Sequence, residues 1–85
     1  MIVDSEIVTN LLRILNSFGT CPAREEIIFI QYNQSAMTVQ RMDALREHLQ
    51  HCKDKGWVDY LVDPLDSKTR KWFITPEGKV ILQNA

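Results

Sequence analysis

The segment LREHLQHCKDKGWV (Leu45–Val58) passes from a helical pattern to a strand pattern within three residues, and the reading of the whole chain turns on it. Val39, Met42, Leu45, Leu49 and Cys52 recur at three- and four-residue steps, the spacing that lines one face of an α-helix. Gly56 stands just past the last of them, where helices commonly stop because glycine takes the left-handed conformation without steric cost. Lys53 and Lys55 fall in the last turn, where the helix dipole favours cations. With Thr38 as N-cap, the pattern predicts an amphipathic helix over 39–55. Gln40, Arg41, Asp43, Ala44, Glu47, Gln50 and Lys53 occupy its outer face.

Downstream, WVDYLVDPLDSKTRKWFITPEGKVIL (57–82) reads as a strand over 57–62, a polar connection over 63–69 and a second strand over 70–74. Trp72 and Phe73 are adjacent on that strand and must point to opposite faces, one to the core and one partly to solvent. A short closing helix begins at Thr75, with Pro76 in its first turn. Upstream, DSEIVTNLLRILNSFG sets Ile7, Leu11, Leu15 and Phe18 at helical spacing between an Asp4 or Ser5 cap and Gly19. That stripe is broad enough to serve a core and a neighbouring subunit. TCPAREEIIFIQYNQ predicts a second helix, with Pro22 in its first turn and Glu25 and Glu26 at its acidic start. Its IIFI run (27–30) suits a strand equally well by composition, and capping and length favour helix. The preceding GTC (19–21) is the candidate for a minor added strand.

Eighty-five residues, 45% hydrophobic and 25% charged, describe one compact domain over 1–85 that can bury a single core without disulfides. Its margin is modest, so a partner subunit is a plausible support. The net charge of -1 offers nucleic acid no overall attraction, and any such binding must come from a local patch. Residues 1–40 hold two cations and four anions, whereas residues 41–85 hold eight and seven, so positive charge is weighted toward the second half. Two isolated cysteines make neither a disulfide framework nor a four-ligand zinc site. They fit a reducing, cytoplasmic setting, and no leader or membrane span is expected.

Taken together the elements resemble a winged helix-turn-helix domain of the kind found in small bacterial, archaeal and phage transcription regulators. LREHLQHCKDKGWV is similar to the end of that family's recognition helix, where "KG" and a large apolar residue lead into the first wing strand. RKWFITPEGKVIL resembles its second wing strand, "ITxxG" and terminal helix. The fold so implied is α+β, with three helices, a β-hairpin wing and a short C-terminal helix. YNQSAMT, between the second and third helices, is longer than the usual tight turn.

The resemblance implies that the third helix enters the major groove of double-stranded DNA and the wing lies along the backbone. On this sequence Thr38, Gln40, Arg41 and Ala44 would face the groove. Gln40 can pair with adenine and Arg41 with guanine, and Thr38 can hold a phosphate. Lys68, Arg70 and Lys71 would contact the backbone, each adding about one unit to the salt dependence. The plainer alternative leaves both as solvated faces, with Asp43 and Glu47 near the helix arginines, Asp63 and Asp66 near the wing cations, and the wing charges keeping a hairpin tip from pairing with other strands. The expectation is a homodimeric transcription regulator, dimerising through its first and last helices. A winged-helix module that binds a protein instead is the alternative. His48 and Cys52 share a helix at a spacing that can seat two metal ligands, but no second pair accompanies them. Neither metal nor cofactor is expected, and no nucleophile elbow or phosphate loop marks an enzyme.

Overall fold

The computed structural model describes residues 3–19, 21–35 and 40–84. In chain order they form α1 (Ser5–Ser17), β1 (Ala23–Arg24), α2 (Glu25–Ser35), α3 (Met42–Asp54), β2 (Val58–Asp63), β3 (Asp66–Ile74) and α4 (Pro76–Gln83). The three strands make one antiparallel sheet in the order β1-β3-β2.

α1 begins at Asp4, whose carboxylate accepts the Glu6 N–H at 2.9 Å. It buries Ile7, Val8, Leu11, Leu12, Ile14 and Leu15 against α2, α3, α4 and β3. Leu45 and Leu49 of α3, Ile28 and Phe29 of α2, and Val58 and Trp72 of the sheet complete the core. Each such side chain contributes roughly 1.5–3 kcal/mol when fully withdrawn from water.

The α3 terminus and the start of α4 are joined into one lock. Gly56, at φ +80°, donates its N–H to the Lys53 carbonyl, and Trp57 donates to the Cys52 carbonyl, both at 2.9 Å. This paired closure of a helix end requires the left-handed residue that glycine supplies. The Trp57 carbonyl then accepts the Thr75 N–H at 3.0 Å, and the Thr75 hydroxyl donates to the Gly56 carbonyl at 2.6 Å. The same hydroxyl accepts the Gly78 N–H at 3.1 Å, capping α4. A Cβ on Gly78 would collide with the Trp57 carbonyl oxygen and lie 2.8 Å from Ile74 Cγ1. The quoted segments "KGW" and "ITPEG" are therefore two halves of one backbone contact.

Four local expectations are corrected. IIFI is helical, as capping favoured, yet α2 starts only at Glu25, and Pro22 lies before it rather than in its first turn. The added strand among the described residues is Ala23–Arg24, with the small, buried Ala23 opposite Trp72 in the register, and Thr20 of the expected 19–21 stretch lies outside the described residues. α3 starts at Met42, three residues after the expected start. Its cap residue Arg41 makes no side-chain cap bond, and the Asn33 amide holds the Gln40 backbone, with Oδ1 accepting its N–H at 3.0 Å. Lastly, the polar connection is only Pro64–Leu65, and β3 already begins at Asp66.

Candidate nucleic-acid interface

The hairpin register is one-to-one from Val58↔Ile74 through Val62↔Arg70, then jumps to Asp63↔Asp66, which leaves residues 67–69 of β3 without partners on β2. The Asp66 carboxylate closes this bulge by accepting the Lys68 N–H at 3.1 Å and the Thr69 hydroxyl at 2.7 Å. The Thr69 hydroxyl first, and then the Lys68 N–H, hold the Asp66 carboxyl below its ordinary range, with a further pull from the Arg24 charge.

Regular alternation up to the bulge separates the cations. Arg70 shares a face with Trp72, and its guanidinium lies 4.9 Å from the centre of the Tyr60 ring, itself packed against Trp72 at 4.9 Å. Lys71 stands one residue on, directed to the other face and level with Leu61 and Arg24 in the neighbouring strands. Lys68 and Arg70 are thus brought together, and Lys71 is turned away from them.

Arg46 enters the same space from α3. Its Nε donates to Glu25 Oε2 at 3.2 Å, while Glu25 Oε1 accepts the Trp72 indole N–H at 3.0 Å. Trp72 is wholly buried, so its N–H needs a partner, and that need fixes the Glu25 carboxylate. The two Arg46 Nη nitrogens have no bonded partner among the described residues. Arg24, Arg46, Lys68 and Arg70 line a cleft of about 170 Å³ together with Glu25, Glu26, Met42 and Thr69. A more open groove bounded by Asp43, Arg46, Glu47, Gln50 and Arg70 lies between α3 and the hairpin.

The remaining expected contact residues are scattered. Thr38 lies outside the described residues. Gln40 and Arg41 precede α3 instead of occupying its first turns, and Arg41 makes only an exposed 3.9 Å pair with Asp43. Ala44 is half-buried, and its carbonyl accepts from His48 Nδ1 at 2.7 Å. Arg24 and Arg46 were not among the expected contacts, since Arg46 reads as paired with the adjacent Glu47 and Arg24 as part of a helix start. The available signal was the Met42, Arg46, Gln50 spacing, one exposed stripe beside buried Leu45 and Leu49.

His48 is consumed structurally. Its Nε2 accepts the Asp4 N–H at 3.2 Å, which makes Nδ1 the protonated nitrogen that bonds Ala44. Cys52 is buried, and burial pushes its thiol up to about 12, whereas Cys21 is exposed. Among the described residues no three His, Cys, Asp or Glu gather as metal ligands, and no helix is long and apolar enough to cross a membrane.

No protein-family model matches the chain, and no curated protein matches its sequence. Among solved structures, a MarR family transcription regulator superposes with a TM-score of 0.74 over 91% of this chain, at 14% identity. The fold is a winged helix-turn-helix. α2 and α3 are its helix pair, β2 and β3 its wing, and α4 the helix that closes it. This chain spans 46% of that regulator's length.

Proposed function

We propose that this winged helix-turn-helix domain binds double-stranded DNA, with α3 toward the major groove and the wing on the backbone. It would act as a homodimeric cytoplasmic transcription regulator and not as an enzyme. The observation that carries the reading is the convergence of Arg46 from α3 with Lys68 and Arg70 from the wing on one side of the molecule. A helix presented to a groove beside cations that reach the flanking phosphates is the geometry DNA docking requires.

The residues before and within the first turns of α3 would read bases. Gln40 suits adenine and Arg41 guanine, and Asp43 and Glu47 can each accept from the exocyclic amine of cytosine. Thr38 would bind a phosphate, and Ala44 would make only an apolar contact. Asp43, Glu47 and Asp54 on the exposed face of α3 oppose phosphate, so the attraction must come from the wing side. Lys71 would contact DNA only where the backbone wraps the outer face of the wing.

One observation favours a second reading, a protein partner on the wing. Leu61, Val62 and Leu65 are 55%, 48% and 97% exposed, more apolar surface than a DNA-only wing needs. Selection of binding duplexes from a random pool at low salt separates the two. The DNA reading expects a recovered consensus site, and recovery of no duplex at all would leave only the protein-binding reading.

A further inference from the structure

The wing-side cleft has more order than a phosphate contact made by surface lysines. Arg24, Lys68 and Arg70 carry no ion pair among the described residues, and Arg46 has committed only its Nε. One of the two acids at the rim, Glu25, is already shared between Trp72 and Arg46.

From this arrangement we infer a phosphate-binding site formed by Arg24, Arg46, Lys68 and Arg70, in which Glu25 acts as the positioning residue for Arg46. Trp72 anchors Glu25 Oε1, Glu25 Oε2 orients the guanidinium through Nε, and the Nη edge is left to form paired N–H bonds to a tetrahedral oxyanion. Arg70 is held over the Tyr60 ring, so it reaches the site with less rotamer freedom to lose than a solvated arginine. The ligand chemistry is a phosphate group, from either a DNA backbone or a free phosphate compound. The DNA source rests on the proposed function, and the free-phosphate source does not.

Nitrogen-15 NMR titrations of the whole chain with pyrophosphate, and separately with a short mixed-sequence duplex at low salt, test the site. Pyrophosphate should shift the Trp72 indole N–H and the Arg24, Lys68 and Arg70 amides. In an Arg24→Ala/Lys68→Ala variant the apparent affinity should fall at least about tenfold, whereas Lys55→Ala/Lys79→Ala should leave it unchanged. A duplex that shifts the same signals and is displaced by pyrophosphate identifies the backbone as the source. Pyrophosphate shifts without duplex shifts identify a free phosphate ligand, which supports the site and removes the DNA reading. Equal losses in the two double variants, or shifts spread over all cationic residues, would overturn the proposal. So would duplex binding that leaves Trp72, Lys68 and Arg70 unmoved, although the DNA reading would then stand.

Discussion

The two ends of one hairpin obey different rules. At its base, Val58↔Ile74 and Tyr60↔Trp72 pair residue for residue, Trp72 is wholly buried, and the backbone of Trp57 is locked to Thr75. At its tip the register slips, Asp66 folds the extra residues back on itself, and Leu65 is 97% exposed. The difference teaches where stability ends and binding begins along the same two strands. The base has little conformational choice, and the tip presents charge and apolar surface with almost none of the core depending on it.

The comparison breaks most readily at the base. Trp72→Ala should destabilise the domain by about 3–5 kcal/mol, read by urea unfolding, because it removes the largest buried side chain and strands the Glu25 carboxylate. Gly78→Ala should cost about 1–3 kcal/mol, lowering the thermal midpoint by roughly 4–20 °C, since its Cβ meets backbone that has little room to yield. Glu25→Gln should sharpen the boundary between the regions. It keeps an acceptor for the Trp72 N–H and loses the half-exposed Arg46 pair, so stability should change by less than about 1 kcal/mol while phosphate binding weakens. At the tip, Arg70→Ala should leave the unfolding free energy within about 0.5 kcal/mol of wild type.

The smallest effect concerns Asp66. Its carboxyl should titrate below 3.8 by carbon-13 NMR, as its bonds to Thr69 and Lys68 favour the charged form. A depressed folded value means that its contribution is present above the unfolded value and is lost as pH falls through the folded one. Local opening of residues 66–69 should therefore begin only in acid, and Thr69→Ala should move the midpoint upward.

The base was legible in the sequence because backbone geometry dictates its residue types. Gly56 is needed for a positive φ at the end of a helical pattern, which local spacing shows, whereas Gly78 is needed for close approach to Trp57 and was legible only through the resemblance of "ITPEG" to a winged-helix strand end. The cleft was not legible. Arg46 takes its orientation from Glu25, 21 positions before it, and Glu25 from Trp72, 47 positions after Glu25, and no local spacing encodes such a chain. The cations of 68–71 were visible as a group, but Lys68 was expected in a seven-residue loop where β3 already stands, so its place beside Arg70 was hidden. The late start of α3 was equally hidden, because Val39 and Met42 continue the helical spacing, and the Asn33 side chain that holds the Gln40 backbone lies seven positions upstream.

The most direct test of the division between base and tip is the salt dependence of duplex binding by the wild-type chain and by Arg70→Ala. The wild type should bind at low salt with an affinity that falls steeply as salt rises, and Arg70→Ala should weaken all duplexes alike and reduce the slope by about one unit. Absence of binding at low salt, or a variant whose slope matches the wild type, would contradict the assignment of the wing tip to the DNA backbone.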